Sequence, residues 1–265
     1  MRYTQKDIYQ AFGIKRDTLR HYERLGIITP EIAPNGYHLY DDWQINLLWD
    51  AKRYQAMGFS LAQIRDILHR DDLSNVQELV VARKDEMERE LAYRTMALEE
   101  MRVFQQRLAE VESNIDTYDV IELPEARFIP RREVHDLLFD ERLDESTRFA
   151  VEHQAVCMPP CAYFPDAYGE TYYWGFAMRS DRYEQLGGPD SGYVTLRGGR
   201  ALSACVDAGE RWNFGHALFT QLLEEAERRG ERPCGALWGL LLSRTHDEMG
   251  GYHRYVKAFL PLEDS

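Results

Sequence analysis

The stretch GIKRDTLRHYERLGIITP, residues 13–30, decides how the N-terminal part of the chain is read. Within it Leu19 and Tyr22 fall on one side of a helix and Arg16, Arg20 and Glu23 on another, until Gly26 stops it. Upstream, Thr4 followed three residues later by Asp7 has the form of a capping box, and Ile8, Ala11 and Phe12 give a helical stripe up to Gly13. The pattern predicts a helix, a tight turn and a second helix. Pro34-Asn35-Gly36 then signals a turn and residues 37–40 alternate like a short strand, which makes a wing. Ile45, Leu48, Trp49 and Met57 mark a third helix ending at Gly58, and Ser60 with Gln63 caps a fourth that carries Leu61, Ile64, Ile67 and Leu68. Ile8, Leu19, Ile27, Leu47 and Leu61 are expected in the core of this module, with Trp43 and Trp49 beside them.

Ser74 with Gln77 opens one more capping box, and no Gly or Pro interrupts the chain from there to Pro124, which predicts one unbroken helix. Val80, Met87, Arg94, Met101, Leu108 and Ile115 recur every seven residues, with Leu91 and Leu98 on the adjacent row, so the stripe reads as a coiled-coil seam. Such a rod is about 60 Å long. It cannot bury its stripe within a 70-residue module, and an antiparallel copy of itself would serve as partner; the alternative is packing on its own C-terminal domain.

From Tyr118 onward the pattern turns to short β-rich runs at 127–134, 162–166, 171–178, 200–207, 236–243 and 252–262, with helices at 144–156 and 214–229. Their order suggests two similar strand-strand-helix-strand-strand halves. The chain is therefore read as α+β in three parts: a winged helix-turn-helix over 1–73, a dimerisation helix forming an antiparallel coiled coil over 74–117, and a sheet domain over 118–265.

Composition limits the classes open to it. With 265 residues, 44% of them hydrophobic, the chain can bury a real core. No run approaches the roughly 18 to 20 apolar residues of a membrane span, and MRYTQKDIYQ lacks a signal peptide's apolar stretch, so no membrane partner and a cytoplasmic address are expected. Cys157, Cys161, Cys205 and Cys234 are too few for a disulfide scaffold and read as reduced, structural thiols. The net charge of −13 is unevenly spread: residues 1–74 carry ten Lys and Arg against ten Asp and Glu, and all the acidic excess lies beyond them. Lys15, Arg16, Arg20 and Arg24 crowd into one short segment of that neutral part.

GIKRDTLRHYERLGIITP, then NGYHLYDDW (35–43), then MGFSLAQI (57–64), resembles the DNA-binding module of the MerR family in sequence, spacing and order. The resemblance implies a winged helix-turn-helix whose second helix enters the major groove while the wing grips the backbone. Arg20 and Tyr22 match the Arg and second Tyr of the family's L-R-Y-Y run, and Tyr37 matches its wing tyrosine. Lys15 and Arg16, at the start of the second helix, are candidate base readers. The DNA-contact set so implied is Lys15, Arg16, Thr18, Arg20, His21, Tyr22, Tyr37 and His38. His21 stands where the family commonly has tyrosine, and His38 where its wing commonly has arginine. Protonation would strengthen both phosphate contacts, so DNA binding is expected to tighten below about pH 6.5.

The C-terminal part resembles the GyrI-like effector-binding domain of multidrug-responsive members of that family. TYYWGFAM (171–178), the helix before Gly230, and YHRYVKAFLPL (252–262) carry the likeness. It implies an aromatic cage in which Tyr172 and Tyr252 match cage tyrosines, completed by Tyr163, Tyr168, Trp174, Trp212, Phe214 and Trp238. The cage glutamate of those relatives does not carry over: the strand that should hold it reads ALWGLLLS (236–243). Glu170 and Asp207 are candidate substitutes, and an aromatic, neutral or weakly cationic ligand is expected. No metal site and no cofactor are expected. Residues 73–156 contain no cysteine, and Cys157 and Cys161, with His153 four residues before, would seat zinc only with help. The resemblance thus implies a homodimeric transcription regulator, not an enzyme, that binds double-stranded promoter DNA, meets RNA polymerase there, distorts the DNA and senses a small molecule. The competing readings are a hydrolase acting on its own ligand and a structural or protein-binding module.

Overall fold

The computed structural model describes residues 1–115, 117–133, 144–166, 171–209 and 219–264, and the chain divides into two compact units, Met1–Ala92 and Tyr93–Ser265. The division falls inside the long helix.

In the first unit, strand β1 (Arg2–Tyr3) leads into helix α1 (Gln5–Phe12), α2 (Arg16–Arg24), strands β2 (Glu31–Ile32) and β3 (His38–Asp41), and helices α3 (Asp42–Ala56) and α4 (Leu61–His69). Local chemistry sets most of these boundaries. The Thr4 backbone N–H donates to the Asp7 carboxylate at 2.7 Å while the Asp7 N–H donates back to the Thr4 hydroxyl, which closes the expected capping box. Gly13 ends α1 at φ 66°, a left-handed conformation in which a Cβ would be strained. Ser60 and Gln63 form the second expected box at the start of α4. The wing is a small sheet in the order β1-β3-β2, and its first strand was not legible in the sequence. Ile8, Leu19, Ile27, Leu48 and Ile64 close the core, each burial contributing roughly 1.5 to 3 kcal/mol. Leu47 is buried with them and Leu61 half-buried against them. Trp43 and Trp49 depart from expectation at 65% and 61% exposed. The inward face of α3 is taken by Leu47, Leu48 and Ala51, which leaves Trp49 to pack edge-on against Phe12 at 4.8 Å on the outside.

Helix α5 runs from Leu73 to Ala109 and starts two residues earlier than the Ser74–Gln77 box suggests, because the Asp72 carboxylate accepts from the Asn75 N–H at 2.9 Å. It also ends early. A short helix α6 (Val111–Asn114) follows, and Ile115, the last member of the seven-residue repeat, bridges to Cys205 instead. Val80, Met87, Leu91, Leu98, Met101 and Leu108 all remain exposed. A second row of the same helix is covered: Met96 is buried, with Tyr93 and Ala97 beside it, against Ile129, Phe149, Met178 and Tyr183. The buried Arg182 guanidinium pins this row by donating to the Met96 carbonyl at 2.7 Å and to the Glu99 carboxylate at 2.6 Å.

The rest of the second unit is β4 (Tyr118–Leu123), β5 (Ala126–Glu133), α7 (Glu145–Glu152), β6 (Cys161–Phe164), β7 (Tyr173–Arg179), α8 (Ser180–Gln185), β8 (Val194–Leu196), β9 (Gly199–Asp207), α9 (Thr220–Arg228), β10 (Leu237–His246) and β11 (Tyr252–Pro261). Among the described residues these strands form one eight-stranded sheet in the order β4-β9-β11-β10-β6-β7-β5-β8. With β4 and β8 included, the two halves each read strand-strand-helix-strand-strand, and the order is symmetric about the antiparallel β10–β6 pair. Each half lends its first strand to the other: β4 pairs with β9, and β8 with β5. The helix expected over 214–229 is seen as α9, its first residues lying outside the described ones.

Strand alternation gives the sheet two apolar faces. Ala162, Phe164, Leu237 and Leu260 meet Leu222 and Ala226 of α9 on one, while Cys161, Leu240, Phe259 and Phe128 gather on the other. β7 crosses β5 very closely at Gly175, where an added Cβ would stand 2.1 Å from the Ile129 carbonyl oxygen and 2.8 Å from the Phe128 ring. Gly175→Ala is therefore expected to destabilise the second unit by about 1 to 3 kcal/mol, read as a lowered midpoint of its denaturation transition. An unchanged midpoint would contradict this close approach.

Candidate functional site

The apolar side of α2, Leu19 and Tyr22, fixes the helix in the core and turns its basic side outward. Lys15, Arg16, Thr18 and Arg20 are exposed, and Lys15, Arg16 and Arg20 make no ion pair among the described residues. Their charge is therefore available to phosphate. Lys15 stands at the N-cap with no side-chain cap bond, so the first amides of α2 also face outward. Tyr37, 66% exposed, sits just after the turn of the wing, where its N–H donates to the Asn35 side-chain oxygen at 3.2 Å.

One expected contact is corrected. Tyr22 is only 1% exposed, its hydroxyl donates to the Gln55 side-chain oxygen at 2.7 Å, and burial pushes its phenol up from the ordinary value. It is a core residue that positions α2 rather than a contact. His21 accepts through Nδ1 from the Arg24 guanidinium at 2.7 Å. His38 has its Nδ1 3.0 Å from the Glu23 carboxylate, which also accepts from the Tyr40 hydroxyl. Tyr22→Phe is expected to cost about 1 kcal/mol of stability and to leave the DNA affinity of the folded protein unchanged, measured by thermal melts beside fluorescence anisotropy. Tenfold weaker binding at unchanged stability would restore the phenol as a contact.

In the second unit the expected cage residues that fall among the described ones are not brought together. Tyr172 is buried, stacked on Phe164 at 4.9 Å and edge-on to Trp174, on the sheet face that α9 covers. Tyr163 and Trp238, paired across β6 and β10, belong to the opposite face, where Trp238 packs on Phe259 at 4.4 Å as plain core. Tyr252 lies at the far end of the β10–β11 hairpin against His246. Period-two alternation alone separates these side chains. Tyr168, Glu170, Trp212 and Phe214 lie outside the described residues. Asp207 is engaged: it accepts from His253 Nδ1 at 2.6 Å and from the Gly209 and Arg254 amides, contacts that hold its carboxyl below the usual range against burial.

A cleft of about 680 Å³ lies elsewhere in this unit. Ala97, Met101 and Phe104 of α5 form one wall, Met158 and Pro160 another, and Phe176 and Leu241 the floor. Among the described residues, none of the expected ligand residues lines it. Glu100 does, and it is only 7% exposed. Burial pushes its carboxyl above the ordinary range against the opposing pull of Arg107, Arg182 and Arg179. The sequence signal for this wall is the row Tyr93, Ala97, Glu100, Phe104 and Arg107 at helical spacing beside the seam. Cys157 also lines the cleft, with its thiol pushed up by burial to about 12, while Cys161 is buried in the other face and pushed up further. Among the described residues no group of three His, Cys, Asp or Glu side chains is placed to hold a metal, and no helix is long and apolar enough to cross a membrane.

A helix-turn-helix with a wing and an outward, ion-pair-free basic helix face defines a DNA-binding module. Residues 3–71 match the model described as MerR HTH family regulatory protein. Over 103 residues, 37% of this chain and 67% of the relative, the chain is 33% identical to the heavy metal-dependent transcription regulator 1 of Rhizobium meliloti. Over 69 residues, 26% of this chain, it is 35% identical to the mercuric resistance operon regulatory protein of Bacillus cereus, of whose length it matches about half, 52%. The chain belongs to the MerR family of transcriptional regulators and is a DNA-binding protein. Among solved structures, the cryo-EM structure of an EcmrR–DNA complex in EcmrR-RPo aligns with 99% of this chain and 100% of that one at 12% identity and a TM-score of 0.38.

Proposed function

We propose that the chain binds its promoter as a homodimer, distorts the DNA, and does so in response to a small organic molecule held by the GyrI-like sheet unit. The observation that carries the dimer is the bare seam of α5. Six large apolar side chains in register along one helix are more than a monomer leaves in water without a partner. Near the start of the seam, Val80, Met87 and Leu91 join Met57 and Phe59 in an apolar groove of about 390 Å³, a fitting seat for a second copy of the helix. In the dimer each α2 enters a major groove, with Lys15, Arg16, Thr18 and Arg20 toward the DNA and Tyr37 at the backbone. Distortion is exchanged for added contacts, in the manner of regulators that present promoter DNA to RNA polymerase. The names of the two relatives refer to mercury and heavy metals; here the apolar cleft with Phe104, Phe176 and Leu241 in its lining supports an organic effector.

Light scattering on the purified chain is expected to give twice the 31.1 kDa of one chain. The double variant Leu91→Glu, Leu98→Glu is expected to run as a folded monomer and to bind promoter DNA at least about tenfold more weakly, since charges on the seam face a desolvated interface. A wild-type monomer with full DNA affinity would overturn the dimer. Arg20→Ala is expected to weaken binding across all sequences and to lower the slope of log affinity against log salt by about 1. An unchanged slope would remove Arg20 from the phosphate contacts.

A further inference from the structure

We infer that the cleft beside α5 recognises a small organic ammonium ion, with the Glu100 carboxylate as the group that takes its charge. This rests on the reading that the sheet unit holds an effector, and it names the site and the chemistry.

Glu100 Oε1 is buried and has no hydrogen-bond partner among the described residues. Its nearest cation is Arg107, whose Nη1 stands 3.9 Å away and is itself buried without a hydrogen bond. The two groups open on different spaces: Arg107 borders a small hollow with Val111 and Cys205, whereas Glu100 lines the large cleft. A buried carboxylate without a donor is costly, and a side chain there for packing alone would be apolar. An N–H donor carrying positive charge, seated in the cleft, would satisfy the orphaned oxygen with a charge-assisted hydrogen bond.

The remaining lining suits the rest of such a molecule. Phe104 and Phe176 offer ring faces to a cation or an aromatic group, and Met101, Met158 and Leu241 supply adaptable apolar contact. The volume lies within the roughly 300 to 1,000 Å³ usual for small-molecule sites. Arg244 is the other charged side chain of the lining, and it is exposed, where water screens it. An anion would be repelled by the Glu100 carboxylate at the cleft wall, and Arg107, which faces the smaller hollow, does not line the cleft. Glu100 lies on α5, the helix whose first residues belong to the DNA-binding unit, so a ligand bound to it acts directly on an element of both units.

The test is calorimetric titration of the full chain with 4-phenylbutylamine, the alcohol 4-phenyl-1-butanol and the acid 4-phenylbutanoate. The amine is expected to bind roughly tenfold or more tightly than the alcohol, with the acid weakest. Glu100→Gln, which removes a buried charge and keeps the shape, is expected to abolish the preference for the amine while leaving the alcohol's affinity within about threefold. Leu241→Trp, which fills the cleft, is expected to abolish binding of both. Amine binding lost in Leu241→Trp but kept in Glu100→Gln would overturn the cation assignment and leave the cleft as the effector site. Amine binding indifferent to both variants, or none of the three probes binding the wild type, would overturn the inference outright. In those cases the effector reading still stands or falls on whether any small molecule changes the promoter footprint.

Discussion

Helix α5 carries two rows of apolar side chains, and the chain covers only one of them. Tyr93, Met96 and Ala97 are packed by β5, β7, α7 and α8 and clamped by Arg182. The row of Val80, Met87, Leu91, Leu98 and Met101 stays in water. Burying the second row of this 37-residue helix is a hydrophobic gain still open to the molecule. The two alternatives that a seven-residue repeat poses, a partner helix or the protein's own domain, therefore do not compete here. They use different sides of one helix.

Glu100 sits between these two rows, and its environment differs from that of every other carboxylate on the helix. Glu86 and Glu99 are exposed and paired with arginines at hydrogen-bonding distance. Glu100 is buried, 3.9 Å from Arg107, without a hydrogen bond and at the wall of a cavity.

Features set by neighbours in sequence were legible. The Thr4–Asp7 and Ser60–Gln63 boxes, the left-handed Gly13 and the wing turn depend on a few adjacent residues, and each forms as expected. The duplicated order of the sheet unit was legible from strand and helix spacing, though β4 and β8 were missed because YDVIEL and VTL are short and partly polar. Features set by which face a residue occupies were not. Trp43 and Trp49 are hydrophobic, yet the inward side of α3 was already filled by leucines. Tyr22 matched a family motif, but its helical position turns it into the core. Tyr172 and Trp238 are both strand aromatics, and one residue of parity puts them on opposite sides of the sheet. The cleft joins α5 to segments 50 to 150 residues away in the chain, a distance over which residue patterns carry no contact information.

The central claim is that two copies, joined along α5, present two α2 helices to one DNA site. The most direct test is the stoichiometry of the promoter complex, measured by sedimentation of the full chain with a duplex carrying its own upstream region. Two chains per duplex, appearing in one cooperative step with no intermediate of one chain, is the expected result. A stable complex of one chain per duplex, with affinity unaffected by charges placed on the seam, would contradict the account.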